Sequence, residues 1–323
     1  MINYENDLRE IAMNLLNSAG VYYKNKDDTN RLLIKYYTFC EKYVFPKNRT
    51  VYVSEELQSK IGTLPMDIRA ALIKMRHWVE TGEDINCFQS KGLYGKGSRD
   101  YQNALYGVIH LHLSASKDDV KPVIQSDRFS KRSEYLLFAK FKNDAAYFID
   151  VLHHPEVLTP NNQAGIEWTS SAILLILENN WPELIENTKI PGATMIFVAG
   201  KPYNQTDFDI AALTANGITT FIQGKDGLYL PNLGVASSGD STIAVKRATN
   251  LWNKCASYKL WYDEYYIEVW QAFERMLTSS KKEIPDSFDI HIDLLEDLNL
   301  LVFRDRITRS AYDPERGTVY YGK

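Results

Sequence analysis

Apolar side chains recur at helical spacing through the first part of the chain. Leu8, Ile11, Ala12, Leu15 and Leu16 fall three and four apart, and Gly20 offers a stop. Asp28 or Thr29 can cap a second helix carrying Leu32, Leu33, Tyr36, Tyr37 and Cys40, closed before Pro46. Val51, Tyr52 and Val53 read as a short extended piece, and Ser54 followed by Glu55 and Glu56 as the next helix start. Ile68, Leu72, Met75 and Val79 predict a helix over 66–81 with Gly82 as its C-cap. From Gln89 the pattern changes: a glycine-rich basic loop over 91–97 that lacks the P-loop order, then strands over 108–113, 135–142 and 145–152. Asn143-Asp144 joins the last two as a two-residue hairpin turn. A regular register across it sets Phe141 opposite Ala146, Ala139 opposite Phe148, and Ser133 opposite His154.

After a Pro-, Thr- and Asn-rich boundary at 155–163, helices over 168–178 and 206–216 alternate with strands over 194–198, 219–223 and 228–230. Trp181-Pro182 opens a short helix between them, and Lys225-Asp226-Gly227 makes a turn. Asp240 or Ser241 then caps a long helix reaching about Leu277, with Trp252, Tyr258, Trp261, Tyr262, Tyr265, Tyr266 and Trp270 along it. Such a stripe serves either a core or an oligomer interface. Two tail strands follow, at 301–303 and 318–321, pairing across 314–317. The pattern predicts an α+β protein with a helical N-terminal region (1–88), a small antiparallel β-rich domain (89–158) and an α/β C-terminal domain with a long helix (159–323).

Composition narrows the partner. Hydrophobic content of 45%, charged content of 24% and a net charge of −4 describe an ordinary globular chain rather than a general polyanion binder. The charge is uneven, however. Residues 89–142 hold ten Lys and Arg against five Asp and Glu, which fits a localised anionic ligand. Three widely spaced cysteines without a C-x-x-C exclude a disulfide framework and point to the reducing cytoplasm. No apolar run is long enough to span a bilayer, and no membrane partner is expected.

Four of the 6 histidines lie between residues 107 and 156. On a strand, residues two apart share a face, so His110 and His112 point the same way. His153 and His154 close the last strand before Pro155, and Arg128, Lys131 and Arg132 stand in the loop leading to Ser133. Three readings fit these residue types. One is metal-free RNA cleavage, with a histidine or lysine as base on the ribose 2′-hydroxyl, a second group as acid, and arginine on the phosphate. The second is a metal hydrolase, with His110, His112, His153 or His154 and Asp150 as ligands. The third gives these residues only structural work. The first requires no cofactor and no metal.

The segment Arg132-Ser133-Glu134-Tyr135-Leu136-Leu137-Phe138-Ala139, followed by Tyr147-Phe148-Ile149-Asp150-Val151-Leu152-His153-His154, resembles the core of RelE/ParE-type toxins, ribosome-associated mRNA interferases. The likeness covers only about residues 107–156. It implies RNA cleavage, with Arg132 on the phosphate and a histidine as acid or base, and as partners RNA, the ribosome and an antitoxin or inhibitor protein. The chain is several times longer than such toxins and lacks their tyrosine soon after the final strand. The wider arrangement also resembles bacterial proteins that combine an H-x-H strand with an LLFA-like strand, a likeness that supplies no activity. The expected function is an endoribonuclease of toxin or phage-defence type. The alternatives are a non-enzymatic protein that forms a homodimer through the Trp252–Trp270 helix, and the metal hydrolase.

Overall fold

The computed structural model describes the chain except for residues 1, 96–100, 114–128, 131–132, 154–170, 196, 199, 203–204, 217, 219, 231–235, 239, 296–299 and 322–323. The described elements are α1 (Tyr4–Ser18), α2 (Thr29–Lys42), β1 (Thr50–Val53), α3 (Glu55–Lys60), α4 (Met66–Thr81), α5 (Tyr101–Tyr106), β2 (Ile109–His112), β3 (Tyr135–Phe141) and β4 (Ala145–His153). There follow α6 (Ser171–Asn180), β5 (Phe197–Val198), β6 (Lys201–Pro202), α7 (Asp207–Ala215), β7 (Ile222–Gln223), β8 (Leu228–Tyr229) and α8 (Thr242–Ser279). Strands β9 (Ile290–Leu295), β10 (Leu300–Asp305), β11 (Ser310–Asp313) and β12 (Thr318–Tyr321) close the chain. The class is α+β, with a helical N-terminal region and a long helix near the C-terminus. Among the described residues no helix is long and apolar enough to cross a membrane.

The chain forms two compact units that do not follow the boundaries expected at 88/89 and 158/159. One comprises Met1–Ala19, Tyr23–Tyr36 and Lys246–Lys323; the other comprises Gly20–Tyr22 and Tyr37–Val245. The expected three-way division is corrected by the second unit's sheet, which has the order β1-β4-β3-β2, with β1 parallel to β4 and the other pairs antiparallel. Its first strand comes from the region read as helical. Helices from both sides of the sequence cover its faces, because both faces are apolar.

On one face, Leu111, Leu137, Ala139, Phe148 and Val151 meet Leu57 of α3 and Ile68, Leu72, Met75 and Val79 of α4. On the other, Leu136, Phe138 and Ile149 meet Ile173, Leu174 and Leu177 of α6, Ile210 of α7, and Tyr229 of β8. Hence Leu136-Leu137-Phe138-Ala139 reads as a continuous apolar run, every member being buried. Each such Leu or Phe contributes about 1.5–3 kcal/mol.

The Asn143-Asp144 turn forms as expected, with the Lys142 N–H donating to the Ala145 carbonyl at 2.9 Å and Phe141 facing Ala146. The register then slips. Ala139 faces Phe148, but Phe138 faces Asp150, leaving Ile149 as the extra residue of a β-bulge. The buried Ser54 holds this point. Its N–H donates to the Phe148 carbonyl at 3.1 Å and its Oγ donates to the Ile149 carbonyl at 2.6 Å. The same Oγ accepts the Leu57 N–H at 3.0 Å, as N-cap of α3.

In the first unit, β9 to β12 form an antiparallel meander in sequence order. The tail strand at 318–321 therefore pairs with β11, not with β10 as its spacing suggested, because Ser310–Asp313 supplies a strand between them. Part of the aromatic stripe of α8 packs within this unit, while Tyr265 and Tyr266 are exposed. Trp261 stacks on Phe303 at 5.7 Å and 17°, Tyr258 and Tyr262 approach the same ring, and Trp270 meets Phe288 edge-on at 5.3 Å. Strand β9 is an edge, and its Ile292 N–H donates to the Asp7 carboxylate of α1 at 3.0 Å.

Replacing Ser54 with Ala removes a helix cap and leaves a buried carbonyl without its donor. The expected loss is about 2–3 kcal/mol, measured by urea unfolding. A loss within experimental error would show that the bulge does not depend on this side chain.

Candidate functional site on the histidine face of the sheet

Strand parity and the bulge decide where each histidine goes. His110 faces Phe138, which faces Asp150; His112 faces Leu136, which faces Leu152. These rows share a face. The two imidazoles lie 6.5 Å apart by ring centroid, at 81° to each other. His110 is half-buried and lies 6.3 Å from the Phe138 ring, while His112 is buried. The Ser133 N–H donates to His112 Nδ1 at 3.3 Å. That bond leaves the proton of the neutral ring on Nε2.

His153 does not join them. It faces Tyr135, whose ring lies 5.2 Å away, and both belong to the opposite face with Leu137 and Val151. Without the bulge His153 would face Glu134 and share the side of His112; the extra Ile149 reverses its direction. Its imidazole is exposed, with Nε2 3.8 Å from a Glu134 carboxylate oxygen. The regular register expected across the hairpin does not hold beyond the bulge, since Tyr135 rather than Glu134 faces His153. Arg128, Lys131, Arg132 and His154 lie outside the described residues. The residues flanking them are firmly held: the Ser130 N–H donates to the Cys87 carbonyl at 2.7 Å, and Ser133 holds His112.

Asp150, a carboxylate for the metal reading, ion-pairs with Lys60 and accepts its neighbour's N–H from Val151 at 2.8 Å. Among the described residues no group of three or more His, Cys, Asp or Glu is placed to hold a metal ion.

The sequence reading missed Lys140. It lies on the histidine face, where position parity calls for an apolar residue, and that mismatch was the available signal. Lys140 is buried, and its Nζ donates to the carbonyls of Tyr106 at 2.7 Å and Leu184 at 3.5 Å. Burial, aided by the charge of Lys142, pushes its pKa down to about 8. At the turn end of the sheet is a cleft of about 570 Å³, which Tyr43, Phe45, Phe141 and Lys142 line together with the start of β2. Phe45 is exposed, and Tyr43 meets it edge-on at 5.1 Å. Arg49 also lines it, but its guanidinium donates to the carbonyls of Phe45, Lys47 and Lys142 and so staples the walls together.

Comparison with protein-family models, curated proteins and solved structures finds no match.

The fold lowers the pKa of Lys140, so folding excludes its proton between pH 8 and 10.5 while the unfolded chain still binds it. Wild-type stability therefore rises across that window. Relative to Lys140→Met, the rise should be roughly 3 kcal/mol, read from denaturant unfolding at pH 7.5 and 10.5. Parallel pH curves for the two proteins would show that Lys140 is not buried as a charge.

Proposed function

We propose that the protein is a metal-independent endoribonuclease of toxin or phage-defence type, acting in the cytoplasm, with His110 and His112 as its acid–base pair. The observation that carries this reading is the pair itself: two imidazoles on one face of an edge strand, one of them oriented by the Ser133 N–H. Cleavage by the ribose 2′-hydroxyl needs one group to take a proton and another to give one to the leaving 5′-oxygen, and imidazole does both near neutral pH. In the neutral ring of His112 the proton is on Nε2, so that nitrogen is the donor; the half-buried His110 is then the base.

Phosphate charge is met by Arg128, Lys131 and Arg132, of which Arg132 directly precedes Ser133 in sequence. Free thiols at Cys40, Cys87 and Cys255 suit a reducing compartment. His153, on the opposite face, has no part in this reaction. A ribosomal context and an inhibitor protein rest on the toxin resemblance alone.

Purified protein is expected to cleave single-stranded RNA in excess chelator, leaving 2′,3′-cyclic phosphate ends. His110→Gln and His112→Gln should each lower the rate by about 10²-fold or more, and His153→Gln should leave it unchanged. Equal rates for wild type and the His110→Gln, His112→Gln double variant would sink the proposal.

A further inference from the structure

The first unit contains an open cleft of about 420 Å³ between α1 and the β9–β10 edge. Every acid that lines it is already engaged. The fully buried Asp305 carboxylate accepts the N–H groups of Asp289 and Thr308, each at 2.7 Å. Asp7 accepts the Ile292 N–H, and burial holds its carboxyl above the ordinary value, towards the neutral form. Asp293 is paired with Arg304, and Glu10 with Arg306 at 2.9 Å.

Two donors are left over. His291 stands opposite Arg304 in the strand register, and its Nδ1 is buried with no hydrogen-bond partner among the described residues. Arg309 lines the same cleft, and among the described residues its side chain makes no ion pair or hydrogen bond. Its backbone is also strained, at φ 60°, a left-handed conformation that glycine adopts freely and arginine does not. Strain of this kind persists where the surroundings impose it, and it gathers at binding sites. The exposed Arg309 guanidinium and the His291 imidazole thus line one cleft.

We propose that this cleft binds a small phosphate-bearing molecule, its phosphate held by Arg309 and His291. The guanidinium fork matches phosphate oxygens, and the His291 ring lines the same cleft as a second polar group. The volume suits a ligand of mononucleotide size. The site uses none of the residues on the histidine face, so it stands independently of the ribonuclease reading.

The full chain would be titrated by calorimetry and thermal shift with inorganic phosphate, a nucleoside 5′-monophosphate and the same nucleoside without phosphate. Phosphate, the monophosphate or both should bind and raise the melting temperature, and the nucleoside should not. Binding of the ion alone assigns free phosphate; tighter binding of the monophosphate assigns a phosphomonoester. Arg309→Gly removes the charge and relieves the backbone, so it should melt at least as high as wild type yet bind at least tenfold more weakly. His291→Gln should also weaken binding. No binding of either phosphate probe at millimolar concentration, equal affinity in Arg309→Gly, or equal binding of the bare nucleoside would overturn the proposal.

Discussion

The larger unit depends on one serine hydroxyl. Ser54 ends β1, fixes β1 to β4 through the Phe148 carbonyl, binds the carbonyl of the bulged Ile149, and caps α3. A hydroxyl can both donate and accept, so one buried oxygen satisfies two backbone groups that would otherwise be costly to bury. The strand pairing, the bulge and the helix that begins to cover the sheet thus meet at a single residue. The side chains of β4 beyond the bulge take their faces from that arrangement.

A sheet covered on both faces leaves no neutral direction. Successive β3 and β4 residues point to opposite cores, and a one-residue insertion reverses the assignment of all that follow. Ile149 is that insertion. It separates His153 from His110 and His112, although hairpin arithmetic puts His153 with them. The turn at Asn143-Asp144 and the pairings next to it were legible, because turn chemistry and alternation are local signals. The bulge was not, since the residue that stabilises it, Ser54, lies 95 positions away from Ile149. Helices with caps were also legible: 66–81 with Gly82, and the start of α3 at Ser54. The histidine pair was legible from parity alone, whereas the donor from Ser133 and the burial of Lys140 required the tertiary structure.

The larger architecture was less legible for a related reason. Texture along a chain marks where composition changes, not which segments share a core. Residues 50–81 and 171–229 differ in texture from the central strands but fill the two faces of their sheet. The aromatic stripe of α8 likewise has the same pattern whether it meets another molecule or Phe303; Tyr258, Trp261 and Tyr262 meet Phe303, while Tyr265 and Tyr266 are exposed.

The Asp7 carboxylate on the Ile292 N–H joins residues 285 positions apart. Closing a loop of that length in an unstructured chain costs about 3 kcal/mol more than closing one of ten residues. The unit comprising residues 37–245 leaves the ribosome before β9 is made, so it can fold while α1 still waits for its partner strands. Its folding removes most of the flexible length between them. Synthesis therefore permits an order: the sheet with the histidines can form first, and the cleft beside α1 is completed only once β9 and β10 have been made. Until then α1 lacks the strand that it packs against in the folded unit.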